Sequence, residues 1–211
     1  METLNVYLHN RLAGVLSQEA GQLSFQYDFA YRKSPDAQPV SYSIPLSERI
    51  FDHQTTTVFF ENLLPPDDVR KRLGKILHLS RHNFFAFLKA IGGDCAGAIA
   101  LYPPDVQPEA VGEECLHALS DDEAAAILSD LPKRPLNLGA LEGFRISGTG
   151  AQDKLIARVV DGKIFLPLYG TPSTHIIKPG IPAYPESVFN EFFCMKLAQR
   201  LRLSAANCSI L

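Results

Sequence analysis

The sequence predicts an α+β fold: an N-terminal unit of antiparallel strands and helices, then a β-rich unit with one long helix. Three observations predict it. Apolar and polar residues alternate over Leu4–Leu8 and again over Leu23–Phe29, the period-two pattern of half-buried strands. From Thr57 to Ile91 the apolar spacing becomes helical, punctuated by Pro65-Pro66 and Gly92-Gly93. From Lys154 onward, two strand-like runs flank Asp161-Gly162, a strong short hairpin signal, and a helical pattern follows over Pro185–Leu201.

In the first unit, Leu4, Val6 and Leu8 lead to a turn at Asn10-Arg11 and a return strand over Leu12–Leu16. Leu23–Phe29 is the third strand, and Val40–Leu46 reads as another, ended by Pro45. Thr57–Leu64 is a short apolar helix. Pro65, Pro66, Asp67 and Asp68 open a helix over Val69–Leu77. Proline costs no backbone bond in a first turn, and acids meet the positive end of the dipole there. Ser80 reads as the N-cap of Arg81–Ile91, where Phe84, Phe85, Phe87, Leu88 and Ile91 form a broad apolar stripe. Ala96–Tyr102 is a strand closed by Pro103-Pro104.

Residues 103–117 are rich in proline and glutamate without an apolar period and read as a surface linker. Ser120 and Glu123 form an S-x-x-E capping box, so a helix is expected over Leu119–Leu131. A second Pro/Gly-rich connection, residues 132–143, leads to strands over Lys154–Val160, Lys163–Leu168 and Thr174–Lys178. The helix over Pro185–Leu201 carries Val188, Phe192, Met195, Leu197, Ala198 and Leu201 largely on one face, and Asn207–Leu211 reads as one more strand. The expected division is 1–105, then a linker with a capped helix over 106–139, then 140–211.

Composition bounds the function. A chain of 211 residues with 46 % hydrophobic and 20 % charged residues makes one large or two small globular domains and excludes wholesale disorder. A net charge of -3 weakens any reading as a bulk-electrostatic nucleic-acid binder. No run approaches the about 18 apolar residues of a membrane span. METLNVYLHNRL lacks the pattern of a signal peptide. Cys95, Cys115, Cys194 and Cys208 form no C-x-x-C and read as reduced thiols of a cytoplasmic protein.

The sharpest chemical motif is Ser147-Gly148-Thr149-Gly150-Ala151-Gln152-Asp153-Lys154. Glycines let backbone N–H groups converge on a phosphate, and Lys154 adds charge. The spacing is not that of a P-loop, and a strand follows where a P-loop has a helix. A plain connecting loop is the competing reading. A glycine loop, a hairpin, a strand ending in lysine and a helix carrying a glutamate are, however, the order of a protein-kinase small lobe. The strand lysine here is Lys178, which needs a partner after the apolar Ile176 and Ile177. Glu191 is the natural one. Glu186 lies in a first turn, where an acid often serves only the dipole. A solvated strand end before Pro179 is the bland alternative for Lys178.

Other features read as structural. His78 and His82 have metal-ligand spacing, but Ser80 between them breaks the helix. Tyr27-Asp28-Phe29 resembles a kinase D-F-G, but it precedes the glycine loop. Arg70, Lys71, Arg72 and Lys75 make a basic helix face, usually a solvated surface, with an acidic partner as the alternative.

The segments SGTGAQDK (147–154), PSTHIIKP (172–179) and NEFFCMKLAQRL (190–201), with FFENLLPPDDVRKRL (59–73) and IGGDCAGAIALYP (91–103) upstream, resemble the HipA family of bacterial toxin kinases. The resemblance spans nearly the whole chain. It implies an ATP-dependent serine/threonine kinase, the toxin of a toxin–antitoxin pair, with a HipB-like helix-turn-helix antitoxin as partner. It further implies an aminoacyl-tRNA synthetase, typically that for glutamate, as protein target. DNA contact is expected mainly through the antitoxin. Carried over by motif position, Thr149, Gly150, Ala151, Gln152, Asp153 and Lys154 contact the ATP phosphates. Lys178 is the phosphate-binding lysine with Glu191 as its partner, and Ser147 is the autophosphorylation site. Phosphorylation there places about -1.5 to -2 charge where the ATP phosphates must sit.

A kinase also needs a catalytic aspartate and magnesium ligands on a large lobe. Residues 179–211, all that follow Lys178, contain Glu186 and Glu191 and no aspartate. The expectation is therefore the N-terminal part of a longer kinase, inactive alone, with Mg2+ ligands outside it. The alternative is a non-catalytic module that binds an antitoxin or a kinase subunit. A small lobe without its large lobe should expose an apolar face.

Overall fold

The computed structural model describes residues 1–93, 95, 98–107, 115–131, 133, 152–168 and 171–211. Two four-stranded antiparallel sheets organise them, each with its own core. The first contains β1 (Glu2–Leu8), β2 (Arg11–Glu19), β3 (Gln22–Tyr27) and β4 (Ile99–Tyr102) in the order β3-β2-β1-β4. Three helices, α2 (His53–Glu61), α3 (Asp67–Leu77) and α4 (Phe84–Ile91), contribute Phe60, Val69, Leu73, Phe85, Phe87 and Leu88 to the core under this sheet. A short α1 (Phe29–Lys33) follows β3.

Tight turns set the registers. His9 and Asn10 have φ of 51° and 60°, Ala20 and Gly21 have 48° and 76°. Positive φ at both central residues is the type I′ turn, whose twist matches that of a hairpin. The first turn is thus His9-Asn10 rather than Asn10-Arg11. Gly14 sits where β1 and β2 shift register, and a Cβ there would lie 2.4 Å from the Gln26 carbonyl oxygen. Only glycine fits so close an approach.

Several local expectations change. The third strand ends at Tyr27, because the Asp28 carboxylate accepts the Tyr31 N–H and caps α1. Phe29 therefore lies exposed on a helix, outside the strand. Val40–Leu46 forms only an isolated bridge, Ser41 to Ile44. Its Ile44 is buried, and the backbone there bonds to the Tyr27 hydroxyl instead of a ladder. α2 starts four residues early because Asp52 caps it through the Thr55 N–H. α4 is capped by Asn83, not Ser80; the Ser80 carbonyl instead accepts the Asn83 N–H in a turn.

The second sheet contains β5 (Cys115–Ala118), β6 (Leu155–Val160), β7 (Lys163–Leu168) and β8 (His175–Ile177), ordered β5-β7-β6-β8. Asp161 and Gly162, at φ of 50° and 75°, make the expected hairpin turn. α5 (Asp121–Asp130) carries the full capping box of Ser120 and Glu123. Residues 115–118, expected in a linker, are a strand paired with β7, and Ile127, Leu128 and Leu131 join the core of Leu155, Ala157 and Leu166. Within the stretch expected as a linker, residues 115–131 thus contribute structure to the second sheet's unit.

α6 (Ser187–Arg200) buries none of its residues. Of the expected stripe, Val188, Phe192, Met195 and Ala198 are half-buried and Leu197 and Leu201 exposed; Phe189 and Phe193, which lie off that stripe, are exposed as well. Asn207–Leu211 forms no strand; Gln199 bonds to the Ala206 carbonyl instead.

Candidate functional site

The site forms at one end of β6 and β8. Their antiparallel ladder pairs Leu155 with Ile177, Ile156 with Ile176 and Ala157 with His175. One step beyond Leu155 and Ile177 stand Lys154 and Lys178, opposite each other. Alternation puts Leu155, Ala157 and Ile177 towards the second core and the two lysines on the other face. Burial, and then the repulsion of Lys178, hold the Lys154 ammonium below its usual range, against the attraction of Asp153.

α6 covers this face at its first turns. Glu191 accepts a hydrogen bond from Lys178 Nζ in an ion pair. Glu186 occupies the N-cap position, where its side chain makes no cap bond, and does not pair with the lysine. Ser187 Oγ accepts the Ile181 N–H at 2.9 Å and fixes the turn that brings α6 back over β8. Between them lies an open groove of about 670 Å³, bordered by Gln152, Tyr184, Glu186, Asn190 and Glu191.

The strap before β6 is tied on both sides. Gln152 Nε2 donates to the Pro179 carbonyl at 3.2 Å, next to Lys178. Asp153 points the other way and accepts two bonds from the Arg72 guanidinium on α3, at 3.2 and 3.5 Å. Ser147, Thr149, Gly150 and Ala151 lie outside the described residues.

The basic face of α3 is accordingly not all solvated surface. Arg70 is buried, pairs with Glu61 and lies over the Phe84 ring, 5.1 Å from its centroid. Arg72 reaches the second sheet's unit. Sequence reasoning named this arginine only as part of a basic face and missed its partner, because 81 residues separate it from Asp153 and no local pattern links them. His78 ends α3 in a left-handed conformation, and His82 accepts a bond from Arg81, so the two form no shared site.

A strand-end lysine paired with a helix-borne glutamate beside an antiparallel sheet is an arrangement that protein-kinase small lobes also use. The chain matches the HipA N-terminal domain over residues 4–102 and the HipA-like C-terminal domain over residues 146–211. It is 36 % identical over 210 residues to the putative kinase Y4mE of Sinorhizobium fredii, covering 98 % of this chain and 50 % of that protein. It is 32 % identical over 209 residues to the serine/threonine-protein kinase toxin HipA of Shewanella oneidensis, covering 99 % and 46 %. The solved complex of Shewanella oneidensis HipA, HipB and operator DNA superposes with a TM-score of 0.75 at 30 % identity, covering 99 % of this chain and 47 % of that one. The chain belongs to the HipA family of toxin–antitoxin kinases. It spans about half the length of the curated relatives it matches.

Proposed function

We propose that this chain supplies the nucleotide-phosphate-binding part of a HipA-type serine/threonine kinase toxin. The observation that carries the reading is the pair of lysines at the shared end of β6 and β8, with Glu191 holding one of them. Like charges placed opposite each other on a sheet cost stability. A polyphosphate between them removes that cost and accepts charge-assisted hydrogen bonds. In this reading Thr149, Gly150 and Ala151 offer backbone N–H groups. Gln152, Asp153 and Lys154 form the root of that loop, Lys178 binds a phosphate oxygen and Glu191 orients Lys178. Ser147 is the autophosphorylation site, where a phosphate repels those of ATP.

The donor set fits ATP. Of the carboxylates at the described site, Asp153 is held by Arg72 and Glu191 by Lys178, which leaves Glu186 at the groove's border. With no aspartate in residues 179–211, the reading takes the catalytic base and the Mg2+ ligands from outside this chain, which binds ATP without transferring phosphate. A HipB-like antitoxin is the expected partner, by analogy with the relative crystallised with HipB and operator DNA. A net charge of -3 favours DNA contact through that partner. An aminoacyl-tRNA synthetase is the proposed target of the whole kinase.

The test is an ATP titration of the isotope-labelled chain followed by NMR. Resonances of Gln152–Lys154 and Lys178 shift, and Lys178→Ala abolishes the response. An unchanged spectrum at millimolar ATP refutes the reading. The exposed Phe189, Phe193 and Leu197 favour a second reading, a module that docks on a kinase subunit. That reading predicts that Gly150→Val is silent, whereas surface changes over Asp67–Lys75 abolish function.

A further inference from the structure

We propose that the groove at the start of α6 docks an arginine-bearing segment of a partner protein, with the guanidinium stacked on the Tyr184 ring and paired with the Glu186 carboxylate. The inference is independent of the phosphate-site reading, in which neither residue is assigned to ATP.

The turn that walls the groove is fixed by its own backbone. The Tyr184 N–H donates to the Ile181 carbonyl at 2.8 Å, and the Ser187 N–H donates to the Tyr184 carbonyl at 2.9 Å. Ser187 Oγ closes the turn by accepting the Ile181 N–H. A wall set before a ligand arrives lowers the ordering cost of binding. Ile181, Ala183 and Pro185 give it apolar surface, and its volume of about 670 Å³ is that of a ligand site.

Most polar groups at the border are already engaged. Gln152 donates to the Pro179 carbonyl, Ser187 Oγ accepts within the turn, and Glu191 is paired with Lys178. Glu186 differs. Its side chain makes no cap bond and has no hydrogen-bond or ion-pair partner among the described residues. Tyr184 is 68 % exposed, and its ring meets no other ring or cation among the described residues. Because Lys178 offsets Glu191, the border keeps the negative charge of Glu186, beside an open aromatic face on an apolar wall.

These properties together fit arginine. A guanidinium stacks on an aromatic face and meets a carboxylate in a planar fork. Its aliphatic stem lies along apolar surface while the head stays in water. A lysine ammonium is more strongly hydrated and cannot stack in the same way. A phosphate is repelled by Glu186. The occupant is a protein segment because Ile181, Ala183 and Pro185 offer apolar surface to the side chains beside the arginine, which a lone guanidinium compound leaves uncovered.

The test titrates the isotope-labelled 211-residue chain with acetyl-Leu-Arg-Leu-amide, followed by NMR. Two probes run in parallel: the same peptide with citrulline, which keeps the shape and loses the charge, and acetyl-arginine amide. The arginine peptide shifts the resonances of Tyr184, Glu186 and Ser187. The citrulline peptide binds about fivefold more weakly, the upper end for an exposed ion pair. In Glu186→Gln the two peptides bind alike. Tyr184→Ala weakens the arginine peptide by a similar factor, about fivefold. Both side chains are exposed, and unchanged β6–β8 resonances verify that each variant is folded. Equal binding of the arginine and citrulline peptides by the parent overturns the proposal. So does an unchanged groove at millimolar peptide. If acetyl-arginine amide binds as tightly as the peptide, the protein-segment occupant is overturned.

Discussion

Replacing Tyr27 by phenylalanine tests how the first unit holds the segment between β3 and α2. The phenol is 5 % exposed and packs edge-on against Phe25, with centroids 4.9 Å apart. Its hydroxyl accepts the Val40 N–H at 2.8 Å and donates to the Ile44 carbonyl. The substitution removes one oxygen and leaves a donor and an acceptor unmet, at a cost of about 1–3 kcal/mol near neutral pH. Burial pushes the phenol from 10.0 up to about 12. The folded chain therefore binds this proton more tightly than the unfolded chain does. The resulting stability is fully present below pH 10 and is lost as pH rises through about 12. Two pH units correspond to about 2.7 kcal/mol. Urea unfolding of parent and Tyr27→Phe, followed by circular dichroism across this range, isolates the phenol because all other groups are shared. The parent's advantage should shrink between pH 10 and 12 and vanish or reverse at the top of that window. Parallel stability curves through the whole window would refute the reasoning.

The hairpin turns give two opposed expectations. Gly162→Ala forces a side chain to φ of +75° with nothing nearby to contact, and costs about 1 kcal/mol in a melting experiment. Ala20→Gly relieves the same strain at φ of +48° and raises the melting temperature by a similar free energy, about 1 kcal/mol; a lowered value contradicts the turn assignment. Ser120→Ala removes the acceptor of the Glu123 N–H and costs about 1 kcal/mol. Because the Ser120 bonds hold the Glu123 carboxyl below its usual range, this variant also moves that titration back up, and an unmoved Glu123 resonance counts against the capping box.

Much of the fold was legible because its signals are local. Alternation over Leu4–Leu8, the Asp161-Gly162 pair and the Ser120–Glu123 box each act within a few residues, and each forms as the sequence suggests. Errors fell where one local choice competed with another. Asp28 could continue a strand or cap a helix, and the Tyr31 N–H decided for the cap. Ser80 and Asn83 are both good caps, and the Ser80–Asn83 turn left the helix start to Asn83. Strand β5 was hidden because Cys115–Ala118 is short, half-buried and dependent on β7, some 50 residues on, for its partner.

The candidate site divides in the same way. Order along the chain was enough to single out Lys154, Lys178 and Glu191 by residue type, since a cation after an apolar strand needs an acid and α6 offers two. The sequence already ranked Glu191 above Glu186, and the turn at Ile181–Ser187, which sets the phase of α6 over β8, brings Glu191 onto Lys178. The facing of Lys154 and Lys178 took the β6–β8 register, and the Arg72–Asp153 bridge took the packing of α3 against the second unit. By itself, then, the sequence determined the elements, their caps and the charged groups available, because propensity and turn chemistry act over a few residues. Beyond the Lys178–Glu191 pair, only the tertiary structure decided which charges meet, because Coulomb interactions depend on distance through space and not on separation along the chain.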